Sequence, residues 1–306
     1  MTESPLVSVC IPTYNRASTI GHAIASAQAQ DYLNIEILIF DNHSVDETEE
    51  IVRTLARTDK RIRHIRQPEN VGMTRNFSAC IAAARGEFIK FLCDDDALAP
   101  DCVSKLKEAF GWSANVVLAV GARRLVDDKF RPLRVAATRR RSELVDGDQM
   151  IRECFVSGNR IGEPTAVMFR RSDAGRGFDA RYEQAVDLEM WCYLLRKGRL
   201  AFRSEVLCSV RRHVGQASRA NIRTGRVIED KRLMFREMAP RFRSKLSWLE
   251  KYAWDARMAS SVVRARRFGE TVDAAALSEV FHGKAFRHVL LPLAAIAWAS
   301  ARRTDS

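Results

Sequence analysis

Three consecutive aspartates, Asp94, Asp95 and Asp96, directly follow a short apolar run over residues 88–93. A run of that length predicts a buried strand that ends at the edge of a sheet, where the ligands of open α/β sheets collect. Adjacent carboxylates repel one another unless a cation such as Mg²⁺ or Mn²⁺ lies between them. The triplet therefore predicts a metal–phosphate site. The alternative is a helix cap, because an aspartate and Pro100 can also start a helix over residues 101–110.

Polar clusters also follow three other predicted strands. They cover residues 11–16, 40–48 and 68–77, with the sequences IPTYNR, FDNHSVDET and PENVGMTRNF. Each cluster by itself is typical of a turn. In a parallel sheet, however, the carboxyl ends of the strands lie along one edge, so we expect the polar residues of all four clusters to converge.

The elements that position these clusters alternate between strand and helix. Predicted strands cover residues 6–11, 35–40, 62–66, 88–93 and 116–120, and predicted helices cover residues 18–30, 45–56, 74–84 and 101–110. This alternation is typical of an α/β protein with a mostly parallel sheet flanked by helices. No glycine-rich dinucleotide fingerprint and no P-loop motif follows these strands, so neither kind of phosphate site is predicted.

The chain changes character near residue 220, beyond which helical runs rich in arginine and alanine dominate. Upstream of that point, residues 165–169 and 201–210 are predicted to be extended and residues 187–196 helical. We therefore predict a main domain over residues 1–220 and a basic, helical C-terminal extension over residues 221–306. Residues 1–120 carry 12 Lys and Arg against 16 Asp and Glu, whereas the remainder carries 38 against 22. This asymmetry predicts an anionic partner for the second half, or a solvated helical surface.

Seven cysteines are scattered without a CxxC pair or a zinc-type spacing, which predicts reduced, buried thiols. The first residues lack the basic and apolar segments of a secretory signal, so a cytoplasmic protein is predicted. The apolar stretch within residues 288–302 is shorter than the roughly 20 residues that span a bilayer. With its flanking arginines it predicts an interfacial helix over residues 285–303, at the inner face of the plasma membrane, or alternatively a core helix.

Together these motifs resemble those of family 2 glycosyltransferases, over residues 6 to 220. The matching positions are Pro12, Thr13, Tyr14 and Asn15 for the family's Pro-x-Tyr-Asn turn, Asp41 for the aspartate after the second strand, Asn70 and Gly72 for its Asn-x-Gly element, Asn76 for an Asn-Phe segment, and Asp94 and Asp96 for its D-x-D element. The resemblance implies the GT-A fold, a Rossmann-like α/β fold, and inverting transfer from a nucleotide-diphosphate sugar.

The same resemblance implies a donor site at the carboxyl ends of the strands. Its nucleotide-binding residues are expected to be Pro12, Thr13, Tyr14, Asn15, Asp41, Asn70, Asn76, Asp94 and Asp95. The turn with Pro12 and Tyr14 supplies a flat surface for the base, and Asp41 accepts a hydrogen bond from it. Asp96 is expected to bind Mg²⁺ or Mn²⁺ directly, with Asp94 closer to the ribose.

The second half of the chain is expected to supply a general base and a further metal ligand. The family has an acidic pair before an aromatic-containing helix, and alignment on Trp191 places Asp187 at the base position. The alternative interpretation is that Asp187 caps the helix and Glu189 faces solvent. Residues 209–218 resemble a loop that folds over the donor, and its His213 is expected to bind the metal.

The predicted function is transfer of a sugar to a hydroxyl of a glycan or lipid-linked acceptor in bacterial surface polysaccharide or lipopolysaccharide synthesis. Two alternatives come from other classes. A sugar-nucleotide nucleotidyltransferase has a similar layout, but it needs a glycine-rich basic loop after the first strand, which residues 11–19 lack. An isoelectric point of about 9.7 suggests a nucleic-acid-binding protein, but no aromatic and basic binding signature is present, so no nucleic-acid partner is predicted.

Overall fold

The computed structural model describes residues 4–212, 226–242, 247–251 and 253–254. Ten strands of this described part form a single sheet. In chain order they are β1 (Val7–Thr13), β2 (Ile35–Asp41), β3 (Ile62–Arg66), β4 (Phe88–Phe91), β5 (Ala97–Leu98), β6 (Val116–Val126), β7 (Pro132–Ala136), β8 (Glu143–Val145), β9 (Val167–Arg170) and β10 (Arg199–Arg211). The order across the sheet is β3-β2-β1-β4-β9-β6-β10-β5, and β7 and β8 pair with β6 and β10 respectively.

Strand β1 lies between β2 and β4 and is parallel to both. Thr13 at the end of β1 is in register with Asp41 at the end of β2, and Cys10 is in register with Phe91 at the end of β4. β3 continues the parallel set, whereas β9 is antiparallel to β4 and to β6. The carboxyl ends of β1, β2, β3 and β4 therefore share one edge of the sheet, as the sequence predicts.

The described residues include the helices α1 (Ile20–Gln28), α2 (Thr48–Thr58), α3 (Met73–Ala83), α4 (Cys102–Ala109), α5 (Gly147–Ser157), α6 (Val186–Leu195) and α7 (Arg226–Phe242). The first three connect the parallel strands β1 to β4. The apolar residues of α1 recur at helical spacing, so that one face is buried; they are Ile20, Ala23, Ile24 and Ala27. α2 has two glutamates in its first turn and an arginine in its last, an arrangement that the helix dipole favours.

The predicted α/β class with a mostly parallel sheet is confirmed, although several strand ends differ from the prediction, that of β6 by the most. β6 continues to Val126, six residues beyond its predicted end, through the polar pair Arg123–Arg124. Arg123 is buried there because its guanidinium forms an ion pair with Glu163. β4 ends at Phe91 rather than at residue 93, and all seven cysteines are free thiols.

By internal packing the chain divides into two units. The first comprises residues 1–151, 160–180 and 186–213, and the second comprises residues 152–159, 181–185 and 214–306. The predicted division of the chain at residue 220 stays a prediction. None of the helices in the ranges described above is long and apolar enough to cross a membrane. The predicted interfacial segment, residues 285–303, lies outside the described residues.

The second unit contains a buried carboxylate that binds a backbone turn. Asp230 of α7 accepts hydrogen bonds from the N–H groups of Glu183, Gln184 and Ala185, at distances from 2.6 to 3.3 Å. Three consecutive amide donors satisfy the charge of a buried carboxylate, which is otherwise costly to remove from water. Within this unit α7 therefore holds the turn over residues 183–185 through one side chain.

Candidate active site

The turns after β1 and β2 are joined by hydrogen bonds. Asn15 has a φ of +52°, in the left-handed region that asparagine tolerates better than most residues. Its N–H donates to the Ser44 hydroxyl at 2.9 Å, and its side-chain oxygen accepts from the N–H of Val45 at 2.9 Å. The carboxylate of Asp46 accepts from the N–H of Ala17 at 3.0 Å. The structure thus brings the first two polar clusters together.

Asp41, at the end of β2, has no exposed surface. Its Oδ1 accepts hydrogen bonds from the N–H and the hydroxyl of Ser44. Its Oδ2 has no hydrogen-bond partner and lies 3.6 Å from Arg66 Nε and 3.9 Å from His64 Nε2. Burial opposes ionisation, but the adjacent His64 and the bonds from Ser44 hold the pKa of Asp41 below its ordinary value. A nucleotide base can reach Asp41 only if a covering side chain moves.

The predicted residues Asn70 and Asn76 lie beside the end of β2 and make different contacts. Asn70 Oδ1 accepts from the side-chain amide of Asn42 at 2.8 Å and from the N–H of Gly72 at 2.9 Å, so it shapes the turn before α3. Asn76 is buried and donates to the carbonyl of Phe40 at 3.0 Å. Asn70 is exposed and lies at the rim of the site, whereas the buried Asn76 is hydrogen-bonded to the backbone at the end of β2.

Asp94 pairs with an arginine from the turn after β1. Arg16 Nε donates to Asp94 Oδ1 at 3.2 Å, and the Asp94 side chain is only 13% exposed. Burial and the neighbouring charge of Asp95 raise the pKa of Asp94 to about 6, although Arg16 opposes the rise. Of the predicted base-binding turn, only Tyr14 is well exposed, at 41%. Pro12 and Thr13 are buried at the end of β1.

Asp96 is 2% exposed and both of its carboxylate oxygens are bound by protein donors. Oδ2 accepts from the hydroxyl of Thr165, and Oδ1 accepts from the N–H of Arg211 at 2.8 Å. Burial and the charge of Asp95 raise the pKa of Asp96 well above its ordinary value. The triplet is not a helix cap, because α4 begins at Cys102 and Asp101 occupies its N-cap position.

The aspartate triplet fits a hard divalent cation by its donor chemistry. Carboxylate oxygens are the ligands that Mg²⁺ and Mn²⁺ prefer, and Mg²⁺ sites use one or two carboxylates with substrate phosphates. Burial and the charge of Asp95 raise the pKa values of Asp94 and Asp96, and a cation bound beside them would favour their ionised forms. Within the described residues, no group of three or more His, Cys, Asp or Glu side chains could hold an ion by itself. The predicted ligand His213 lies outside those residues.

Asp187 lies in the first turn of α6 and is partly buried. Burial raises the pKa of its carboxyl group to about 7, the N–H of Leu188 opposes the rise, and the negative charge of Glu163 adds to it. Glu163 forms ion pairs with Arg123 and Arg212, and its charge also raises the pKa of Asp96. Asp187 and Asp96 therefore lie within electrostatic range of the same side chain.

The alternative interpretation, in which Glu189 faces solvent, is contradicted by the structure. Its side chain is buried in α6 and forms an ion pair with Arg176. A buried carboxylate with a charged partner has a structural role, which explains why an acid lies on the inner face of an otherwise apolar helix. Of the two acids in the first turn of α6, Asp187 is the one with partial exposure.

Several residues of this region have no signal in the sequence. Thr165 and Glu163 lie about 70 residues downstream of the triplet, and their contacts depend on the pairing of β9 with β4. Arg16 directly follows the Pro-x-Tyr-Asn turn, and its pairing with Asp94 needs the parallel register of β1 and β4. A motif shows which residue types occur, whereas these roles depend on strand pairing.

A family model described as glycosyl transferase family 2 matches residues 8–177. The match covers more than half of the 306 residues. The chain belongs to this family. An uncharacterised protein of Mycobacterium tuberculosis is 33% identical over 243 residues, which are 75% of each chain. The GalNAc(5)-diNAcBac-PP-undecaprenol beta-1,3-glucosyltransferase of Campylobacter jejuni is 37% identical over 105 residues, which are 34% of each chain.

A solved structure of similar fold is the mannosyltransferase of Pyrobaculum calidifontis in complex with GDP-Man and Mn²⁺. It is 20% identical, has a TM-score of 0.59, and the superposition covers 100% of this chain and 89% of that one. At this identity the likeness shows the fold, and the predicted GT-A fold of this glycosyltransferase is confirmed. Because the Campylobacter jejuni enzyme is matched over only 34% of its length, its substrates are not carried over by the match.

Proposed function

We propose that this family 2 glycosyltransferase transfers a sugar from a nucleotide-diphosphate sugar to an acceptor hydroxyl, with inversion and with the help of a divalent cation. The observation that carries the proposal is the pair of carboxylate environments in the first unit. The aspartate triplet lies at the carboxyl end of β4 beside Arg16, whereas Asp187 carries a carboxyl group with a pKa of about 7. A group of three carboxylates suits cation binding and a single carboxylate of raised pKa suits proton transfer, so the two suit different tasks in one reaction.

Asp96 is proposed to bind Mg²⁺ or Mn²⁺ directly together with the donor diphosphate, with Asp94 closer to the ribose. Both supply oxygen, and each oxygen of Asp96 keeps a lone pair after its protein hydrogen bond. When bound, the cation neutralises charge on the leaving nucleoside diphosphate. Arg16 adds a fixed positive charge next to Asp94. His213 stays a proposed further ligand.

The nucleotide is proposed to lie over the turns after β1 and β2. Tyr14 provides exposed aromatic surface at that edge, and Asn70 lies at its rim. Asp41 Oδ2 is an acceptor without a hydrogen-bond donor, which suits the N–H of a base once Arg66 or His64 moves aside. Asn15, Asn76 and the buried end of β1 support the shape of these turns.

Asp187 is proposed as the general base. Its ionised carboxylate takes the proton of the acceptor hydroxyl while the hydroxyl oxygen bonds to the anomeric carbon. The bond from that carbon to the diphosphate oxygen breaks on the opposite side, and the nucleoside diphosphate leaves with the electron pair. A pKa of about 7 leaves a large ionised fraction near neutral pH and makes the carboxylate more basic than an ordinary aspartate.

The acceptor is proposed to be a glycan or a lipid-linked glycan of bacterial surface polysaccharide synthesis. The support is a relative whose name includes a PP-undecaprenol acceptor and the excess of positive charge after residue 120. A cytoplasmic location at the inner face of the membrane, with contact through residues 285–303, belongs to the same proposal. Family membership favours glycosyl transfer over nucleotidyl transfer and over nucleic-acid binding.

A thermal-shift screen of nucleoside diphosphates, each with and without Mn²⁺, tests this proposal. We expect one nucleotide to stabilise the full chain only in the presence of the cation, by about 2.7 kcal/mol at 100 times its Kd. Asp96→Asn should remove that shift while the ligand-free protein melts cooperatively. An equal shift in the presence of a chelator would contradict metal-assisted donor binding.

A further inference from the structure

Lys90 is a fully buried lysine in the middle of β4. Its ammonium group donates to the carbonyl of Phe91 at 2.6 Å and to the carbonyl of Thr165. Burying an ammonium group is costly unless it is hydrogen-bonded, and a leucine or a methionine at this position would avoid the cost. Lys90 lies four residues before the aspartate triplet, in a strand that is otherwise apolar. A functional role would explain why a charged residue occupies this position.

Thr165 connects Lys90 to the triplet. Its carbonyl accepts from Lys90, and its hydroxyl donates to Asp96 Oδ2 and accepts from the N–H of Cys93 at 3.0 Å. The residue is fully buried. A hydroxyl offers one donor and two acceptor positions, so its only proton is committed to Asp96. The orientation of Thr165 is consequently set by Lys90 on one side and by the end of β4 on the other.

The direction of the Asp96 carboxylate follows from these contacts. Thr165 holds Oδ2 and the N–H of Arg211 holds Oδ1, so the side chain cannot rotate without breaking a buried hydrogen bond. Lys90 holds the backbone of Thr165 through its hydrogen bond to the Thr165 carbonyl. A fixed orientation is what a carboxylate needs to bind a cation in one geometry.

We propose that Lys90 and Thr165 are positioning residues for the divalent cation of the donor complex, acting through Asp96. The proposal rests on the proposed function, because it takes Asp96 as a ligand of the cation. Neither residue touches the substrate in this account. Removing an outer partner of a metal ligand typically weakens metal binding by about 10-fold to 100-fold.

The test is a calorimetric titration of Mn²⁺ into the full chain at a saturating concentration of the nucleoside diphosphate. Thr165→Val keeps the shape of the side chain and removes the hydroxyl, and we expect its Kd for Mn²⁺ to rise about 10-fold to 100-fold. Thr165→Ser restores the hydroxyl and should bind almost as the unmodified protein does. Thr138→Val is the matched control, because Thr138 is also buried but donates to the carbonyl of Arg160.

Lys90→Met tests the other half of the proposal. It keeps the length of the side chain and removes the hydrogen bonds to the carbonyls of Phe91 and Thr165. Because Thr165 then loses one of its fixed contacts, we expect weaker Mn²⁺ binding in a folded protein. The increase in KM for the donor should be larger at low Mn²⁺ than at high Mn²⁺. A folded Lys90→Met variant with unchanged affinity, or a variant that does not fold, would overturn the positioning role of Lys90.

The outcomes separate this inference from the proposed function. If the unmodified protein binds no Mn²⁺ with any nucleoside diphosphate, the proposed function itself fails. If the unmodified protein binds Mn²⁺ and Thr165→Val binds it equally well, only the inference fails. A loss in Thr138→Val as large as that in Thr165→Val would assign the effect to general destabilisation and would likewise overturn it.

Discussion

Asp187 and Asp94 have raised pKa values for partly different reasons. Burial is the largest cause for both, and the next cause that raises the pKa is the charge of Asp95 at Asp94 and the charge of Glu163 at Asp187. Asp95 belongs to the same triplet as Asp94, so a bound cation would offset the repulsion between them. Asp187 is a single carboxylate in the first turn of α6, and its raised pKa suits a group that takes a proton during the reaction.

The pH dependence of kcat tests the state of Asp187. A base is active when ionised, and the pKa of this carboxyl group is about 7. We expect kcat to fall about 10-fold between its plateau and pH 6, because the protonated fraction rises as pH falls below the pKa. The measurement is turnover at saturating donor, acceptor and Mn²⁺ from pH 5.5 to 9. A flat profile down to pH 5.5 would mean that no carboxyl group of raised pKa limits the reaction.

Glu163→Gln should move this profile towards acid pH. The negative charge of Glu163 raises the pKa of Asp187, and its loss leaves Arg123 and Arg212 without that partner. Both changes favour the ionised form of Asp187, so the midpoint of the acid limb should fall. Glu205→Gln is the control, because Glu205 also pairs with an arginine, Arg203. A midpoint that stays in place, or rises, would contradict the assignment.

At the residue scale, the sequence predicts the positions of the acidic site residues better than it predicts the residues that bind them. The triplet, Asp41 and Asp187 are visible as polar residues at the ends of predicted elements. The partners of these acids cannot be recognised in the sequence. For example, Thr165 is brought to Asp96 by the antiparallel pairing of β9 with β4. The sequence did not indicate that Glu189 is buried, because its partner Arg176 precedes α6 and no helical spacing relates them.

At the element scale, α6 shows how a helix with acids in its first turn is held in place. Glu189 faces inwards and pairs with Arg176, while Trp191 donates from Nε1 to the carbonyl of Gly162 at 3.1 Å. These contacts join α6 to the segments before it. The apolar pattern of residues 187–196 predicts the helix, confirmed as Val186–Leu195, but the pattern gives no information on which acid is buried.

Glu189→Gln should reduce the free energy of unfolding by about 1–3 kcal/mol, because the buried ion pair with Arg176 is lost. Urea denaturation followed by tryptophan fluorescence measures it. Glu143→Gln, which removes a more exposed pair with Arg139, should cost less than about 1 kcal/mol. If both variants are equally stable, the Glu189 pair does not hold the helix.

The boundaries of the strands are the less predictable part of the fold. The parallel strands near the N-terminus follow from apolar runs and are found within a few residues of the predicted ends. β6 is longer than predicted because a buried ion pair allows Arg123 to continue the strand. The apolar pattern of a segment cannot report a partner that lies 40 residues away in the chain.

At the scale of the whole molecule, the sequence shows an uneven distribution of charge between residues 1–120 and the remainder. It does not show which segments pack together into the two units. The second unit includes residues 152–159 and 181–185, which lie within the predicted main domain. Asp230 binds the second of these segments through three amide groups. A division drawn along the sequence cannot anticipate such segments, because their assignment depends on contacts between distant parts of the chain.

Asp230→Ala should increase the rate of amide hydrogen exchange at Glu183, Gln184 and Ala185 by on the order of tenfold, because each of these groups loses its acceptor. Exchange followed by mass spectrometry of short peptides measures it. Glu229→Ala is the control, since Glu229 is an exposed neighbour on the same helix. Unchanged exchange in Asp230→Ala would mean that other contacts hold this turn.

Asp187 is proposed to take the proton of the acceptor hydroxyl in a site where other residues bind the donor. The most direct measurement is the rate of nucleoside diphosphate release from a saturating nucleotide sugar, with Mn²⁺ and acceptor, in Asp187→Asn and in the unmodified protein. We expect the rate to fall by on the order of 10²–10⁴ while the Kd for the donor stays within about twofold. A variant that turns over at the full rate would contradict the claim.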